Sequence, residues 1–288
     1  MTVKGNDMTA TSNQHLHGLW AAVAGSWAEH ADYADARGVD VTNELLSLAD
    51  PQPGDRVLEL ACGPGGAGLA AAECVGPTGD VVLSDVAAAM TAVAARRAAA
   101  RGLTNVSTRE LDLERIVEPD AAYDVVLCRE GLMFASDPIE AAREIRRVLR
   151  PGGRVAVAVW GPRERNPWLG LVFDAVSAHL GKPVPPPCVP GPFSLSDVNV
   201  LRAVFDAAAL TDVTAGEVSV PLREATFDAW WERTSALAGP LVNLLKALPE
   251  DDSRVLRARV RDLVAPYTTV DGLQFPGVAL VAGARREA

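Results

Sequence analysis

Lysine is nearly missing from this chain. Only Lys4, Lys182 and Lys246 occur, and every other cation is an arginine. Acidic residues outnumber basic ones, 37 to 27, for a formal net charge of -10 and a pI near 4.9. A phosphate backbone is held by clustered lysine and arginine, so this balance argues against a nucleic-acid ligand. Arginine in place of lysine, alongside abundant alanine, reads as the coding bias of a high-GC bacterium. Cysteine is scarce too. Cys62, Cys74, Cys128 and Cys188 form no C-x-x-C pair, which predicts reduced thiols rather than a disulfide framework or a zinc site. No apolar run reaches membrane-spanning length, and no basic segment followed by an apolar one opens the chain. The expectation is a cytoplasmic protein without metal, nucleic-acid or membrane partner; a homodimer stays open.

What is present is a core-forming chain. Hydrophobic residues make up 49% of 288 positions, enough for one large domain with a cap. Residues 1–12 are polar and patternless, predicting a flexible tail, and 13–288 are expected to form a single domain. Trp20, Val23 and Trp27 recur at helical spacing, predicting a helical cap over 13–50 that the run Pro51–Gly54 breaks.

Between 51 and 160, apolar strands alternate with helices, the pattern of a doubly wound α/β fold with a parallel sheet. Strands are predicted at 56–61, 80–84, 106–111, 123–128 and 154–160. Asp137 and Pro138 supply an N-cap and first turn for a helix to Leu149. Regularity then loosens over the substrate-side half, 161–288. A helix over 166–180 leads into a proline-rich loop, and Ser194 is expected to cap a helix to about Leu210. A strand at 213–220, lid helices within 226–266 and a last strand over 272–284 complete the chain.

The stretch after the first strand matches G-x-G-x-x-G at Gly63, Gly65 and Gly68, and Asp85 ends the next strand 20 residues after Gly65. A carboxylate there can accept hydrogen bonds from ribose hydroxyls, so an adenosine cofactor is expected. The pattern alone leaves an NAD-dependent dehydrogenase open, with the pyrophosphate on the helix N-terminus. Asp112 closes the third strand and puts a second carboxylate at the same sheet edge, though a turn-capping role is an alternative for it. Glu59, inside the first strand, needs a partner because an unpaired buried carboxylate is costly.

Five motifs in order make a family resemblance. Val57–Gly65 (VLELACGPG), Gly79–Met90 (GDVVLSDVAAAM), Leu111–Leu113, Tyr123–Phe134 (YDVVLCREGLMF) and Arg147–Trp160 (RVLRPGGRVAVAVW) are similar to those of the S-adenosylmethionine-dependent methyltransferases. The branch that includes the ubiquinone and menaquinone biosynthesis C-methyltransferases is the most similar, over about 20–160. The resemblance implies a Rossmann-like, mostly parallel seven-stranded sheet and S-adenosyl-L-methionine as cofactor. By that resemblance Asp85 takes the ribose, Met90 packs on adenine and Asp112 receives the adenine amino group. Glu59 helps organise the methionine end, and backbone at Cys128 and Arg129 meets the methionine amino group. The full expected cofactor set is Trp27, Glu59, Ala61, Gly63, Pro64, Gly65, Asp85, Val86, Met90, Asp112, Leu113, Cys128, Arg129 and Met133. Tyr33 is a further candidate at the cofactor end.

Methyl transfer is an in-line displacement that needs alignment, exclusion of water and, for a protonated nucleophile, a base. No base is evident: His15, His17 and His30 near the N-terminal helix are weak candidates, and His179 reads as an ordinary helix residue. Leu132, Met133, Phe134, Trp160, Trp168, Phe193, Trp230, Trp231 and Phe275 are expected near an apolar, aromatic-rich acceptor pocket. A small hydrophobic or aromatic metabolite fits such a lining, with secondary metabolism as its setting. A reaction that uses the bound cofactor without transferring its methyl, a rearrangement or decarboxylation, would leave the same sequence pattern.

Overall fold

The computed structural model describes residues 6–239 and 241–288, with side chains from residue 18 onward. Helices α1 (Asn6–Glu29), α2 (Ala31–Arg37) and α3 (Val39–Ala49) precede the sheet, so α1 starts ahead of the boundary near residue 13 that hydrophobic spacing predicts. In α3 the buried Val41, Leu45 and Ala49 recur every four residues, which lays one stripe of the helix on the sheet. Asp50 ends it in a left-handed conformation.

The alternation that follows is β1 (Arg56–Glu59), α4 (Gly66–Val75), β2 (Asp80–Asp85), α5 (Ala88–Ala100), β3 (Val106–Glu110), β4 (Tyr123–Arg129), α6 (Pro138–Val148) and β5 (Leu149–Trp160). Asp137 caps α6 as expected, its carboxylate accepting from the backbone N–H groups of Ile139 and Glu140. After β5 come α7 (Pro167–Leu180), α8 (Val198–Ala207), β6 (Thr211–Ser219), β7 (Leu222–Glu224), α9 (Phe227–Leu237), α10 (Leu241–Ala247), α11 (Glu250–Val264), β8 (Thr268–Thr269), β9 (Gly272–Phe275) and β10 (Val278–Arg285).

Seven strands form one sheet in the order β3-β2-β1-β4-β5-β10-β6. All neighbours are parallel except β10, which runs antiparallel to both β5 and β6. The chain winds outward through β2 and β3, then returns to the other side of β1 to build β4. That reversal opens a crevice at the carboxyl ends of β1 and β4, where open α/β sheets take their ligands. The central strands are buried on both faces, which explains why Val57–Leu58, Val125–Leu127 and Val155–Val159 read as continuous apolar runs.

Two expectations are corrected. Ser194 does not cap α8; Asp197 does, accepting from the Asn199 N–H at 2.7 Å, while the Ser194 hydroxyl accepts from Gly191 three residues upstream. The last strand is two: Pro276 and Gly277 separate β9 from β10. The first of them joins β7 and β8 in a small antiparallel sheet that nothing in the local pattern announced. Its strands are too short to show an alternation. Helices α9, α10 and α11 pack with this sheet as the lid, its centre the fully buried Trp230, 5.3 Å from Phe275 between ring centroids.

Asn166, fully buried at the start of α7, ties the lid side to the sheet. Its amide donates to the carbonyls of Gly161, Pro162 and Val278, and its Oδ1 accepts from the Val278 N–H and from Trp168 Nε1. Among the described residues no helix is long and apolar enough to cross a membrane, and no group of three His, Cys, Asp or Glu could hold a metal. The four cysteines are free, Cys62 and Cys128 buried, Cys74 and Cys188 exposed.

Candidate functional site

The loop after β1 is held from several sides. Asp85, at the end of β2, accepts from the Gly63 N–H through Oδ2 and from the Ala87 N–H through Oδ1, both at 3.0 Å. Glu59 reaches under the loop, and its Oε2 accepts from the Gly68 N–H at 2.9 Å. Burial pushes the Glu59 carboxyl up to about 7, against the pull of Arg129 and of the Gly68 hydrogen bond. Burial likewise pushes the Cys128 thiol up to about 12 and Cys62 well above its usual value, so neither is a thiolate nucleophile.

Two of the glycines have different work. Gly68 lies tight against Leu83 and the Glu59 carboxylate, so α4 can approach β1 only without a Cβ there. Gly63, at φ +51°, has open space where its Cβ would stand. That space is the cavity. The Gly68→Ala substitution is expected to cost about 1–3 kcal/mol of stability through overpacking. Gly63→Ala should cost less stability while weakening S-adenosylhomocysteine binding several-fold. Thermal unfolding and calorimetric titration of the two variants separate these effects, and equal losses of both quantities in both variants would sink the distinction.

One cavity at the crevice collects most of the expected residues. Trp27, Ala61, Gly63, Pro64, Asp85, Val86, Met90, Asp112, Leu113, Arg129 and Met133 line it, as do Tyr33, Phe134, Trp160 and Trp168. Glu59, Gly65 and Cys128 stand behind this lining and brace it rather than face it. Asp112 accepts from the Glu114 N–H at 2.9 Å, so it shapes its own turn and faces the cavity as well. Met90 belongs to a small apolar cluster with Val23, Ala24, Ala87 and Val242, and this seam seats α1 and α10 over the cavity. Two strand ends on the rim, Ala61 and Glu130, hold left-handed backbone at φ +51° and +61°, a strain that clusters at functional sites.

Other expected residues fall elsewhere. Leu132 is core, Phe193 packs on Phe173, and Trp230 and Phe275 form the lid centre. Trp231 lines a shallow outer hollow with Ser26 and Lys246. His30 sits at the α1–α2 junction away from the cavity, and His179 faces Asp252 of α11 at 3.7 Å. The side chains of His15 and His17 lie outside the described residues.

The structure adds residues that local patterns could not supply. Asp35 of α2 gathers Arg97 at 2.6 Å, Arg129 at 3.2 Å and Arg101 at 3.5 Å, pinning α2 beside the glycine loop, and Arg97 also donates to the Pro64 carbonyl. Arg129 bonds Thr42 as well, so its ion pair is internal rather than a surface one. Arg37, Glu130, Glu114, Trp20 and Arg233 join the lining. Burial raises the Glu130 carboxyl, with Arg129 and Arg37 opposing. The one available signal was Glu130's place next to Arg129 at the end of a strand.

The donor set fits an adenosine cofactor. Open space over Gly63, a carboxylate at the end of β2 and an enclosed Trp27 Nε1 that has no partner all border one cavity. The site thus lies at the switch point of a doubly wound sheet whose penultimate strand is reversed.

Residues 57–153 match the family model described as a methyltransferase domain. The chain is 38% identical over 133 residues to the ubiquinone/menaquinone biosynthesis C-methyltransferase UbiE of Ectopseudomonas mendocina, a match covering 46% of this chain and 52% of the relative. It is 38% identical over 155 residues to the nocamycin O-methyltransferase of Saccharothrix syringae, covering 50% and 55%. The chain thus spans about half the length of the curated relatives it matches. Among solved structures, the YcgJ protein of Bacillus subtilis aligns with a TM-score of 0.58 at 19% identity, over 86% of this chain and 98% of that one. This last likeness speaks for the fold.

Proposed function

We propose that the chain is a cytoplasmic S-adenosylmethionine-dependent methyltransferase acting on a small hydrophobic or aromatic metabolite, in secondary metabolism. One observation carries the reading: a single cavity joins the Gly63 loop and the Asp85 carboxylate to a chamber walled by Phe134, Trp160 and Trp168. When bound, S-adenosylmethionine supplies an electrophilic methyl group on a sulfonium. Asp85 would hold the ribose hydroxyls, Val86, Met90 and Leu113 would wall the adenine, and Asp112 would accept from its amino group. Ala61, Gly63, Pro64 and Arg129 would border the methionine portion, and Trp27 and Met133 would cover it from α1 and from the turn after β4.

The chain's own contribution is then binding, alignment and exclusion of water beneath α1 and α9. A base is available without histidine: Glu130 lines the cavity, and burial raises its carboxyl, which strengthens it as a proton acceptor. The relatives' names, a C-methyltransferase and an O-methyltransferase, agree with small-molecule acceptors of either kind.

The test is calorimetric titration with S-adenosylhomocysteine, with NAD in parallel. Micromolar binding of the first alone is the expected result, and it opens a screen of acceptors by product mass. Binding of NAD alone would replace this reading with a dehydrogenase.

A further inference from the structure

Arg37 closes α2 with its guanidinium carbon 3.8 Å from the centre of the Trp168 ring and 5.0 Å from that of Trp160. Its Nε and Nη2 are fully enclosed and make no hydrogen bond. The residue lines the cavity, on the side of the aromatic chamber. Tyr33 and the buried Glu130 act on it more strongly than Glu224, which is committed to Arg233, yet none of them makes a hydrogen bond to its Nε or Nη2. A guanidinium offers five N–H donors in a fixed fork, and an enclosed one without a partner is costly to keep. Burial accordingly depresses its proton affinity.

The aromatic shelf beneath it is rigid. Trp168 Nε1 donates to Asn166 Oδ1 at 3.2 Å, and the Trp160 and Trp168 rings meet edge to face at 5.1 Å. Asn166 is itself fixed by its bonds to Gly161, Pro162 and Val278. The guanidinium is therefore held in place before any ligand arrives, and its charge on the cavity wall favours an anion there.

We propose that Arg37 is the anchor for a carboxylate carried by the acceptor, so that the substrate is a hydrophobic or aromatic acid rather than a neutral ring compound. The proposal rests on the methyltransferase reading and names the substrate class for that site. Glu130, on the same cavity, repels a second negative charge, so the acid is a monocarboxylate on an apolar body. The cofactor's own carboxylate is the other source of such an anion. It is set apart by position, because the Gly63 loop is bordered by Arg129 while Arg37 lies over the β5–α7 tryptophans.

The experiment titrates the protein, saturated with S-adenosylhomocysteine, with 1-naphthylacetate and with its neutral amide. Wild type is expected to bind the acid at least tenfold more tightly than the amide. Arg37→Gln should abolish that preference and leave S-adenosylhomocysteine affinity unchanged, with the loss of its stacking on Trp160 and Trp168 read separately as a shift in unfolding temperature. Arg37→Lys should keep part of the preference. Equal binding of acid and amide, no binding of either, or a preference that survives in Arg37→Gln would overturn the proposal. So would a loss of S-adenosylhomocysteine affinity in Arg37→Gln, which would assign the residue to the cofactor. Failure of wild type to bind S-adenosylhomocysteine sinks the methyltransferase reading instead, and the acid–amide comparison is then read on the protein alone.

Discussion

Replacing Asp85 by alanine should weaken S-adenosylhomocysteine binding about a hundredfold, or about 3 kcal/mol. The size follows from two losses at one carboxylate. Its oxygens accept from the Gly63 and Ala87 N–H groups, so the side chain sets the shape of the loop over which the cofactor would lie. The same oxygens have further acceptor capacity for ribose hydroxyls, and charge-assisted hydrogen bonds are about twice as strong as neutral ones. Asp85→Asn should be nearly as damaging, because its NH2 group would face a backbone N–H donor on one side or the other. Calorimetric titration measures both variants. Unchanged affinity in Asp85→Ala would remove this residue from the site and with it the adenosine assignment of the crevice.

The second large effect concerns pH. Glu59 is buried inside β1, and its carboxyl is raised from 4.5 to about 7. Between these two values the folded protein holds a proton that the unfolded chain has released. Stability therefore falls as pH rises through the window, by about 3 kcal/mol in total. Glu59→Gln is nearly isosteric and keeps an acceptor for the Gly68 N–H, but it does not titrate. Chemical denaturation at pH 5 and pH 8 should show wild type losing stability that the variant retains, so the variant gains relative to wild type on the alkaline side. Parallel curves for the two proteins would mean that Glu59 is ionised in the fold throughout, held so by Arg129.

Much of the fold was legible because the relevant forces are local or periodic. The buried strands β1, β4 and β5 show as apolar runs, and Asp137-Pro138 signals the start of α6 through capping chemistry that spans four residues. Gly63, Asp85 and Asp112 were legible for a related reason, since the connection lengths of a doubly wound sheet bring the ends of β1, β2 and β3 to one edge. The Ser194 expectation failed on the same ground. A capping residue can be read only where the first turn begins, and the proline-rich loop delays that turn to Val198.

The sequence by itself thus determined the α/β class, the parallel core and the glycine loop with its strand-end carboxylates at one sheet edge, because strand period, glycine placement and strand-end carboxylates are properties of neighbours along the chain. Only the tertiary structure decided what closes the site. Arg37 meets Trp160 and Trp168 from more than a hundred residues away, Asp35 collects arginines from α5 and β4, and the β7-β9-β8 sheet centres the lid on Trp230. These contacts join side chains that share no period or motif. They follow from packing and from the need to pair or stack buried charge, which act between residues only after the chain has brought them together.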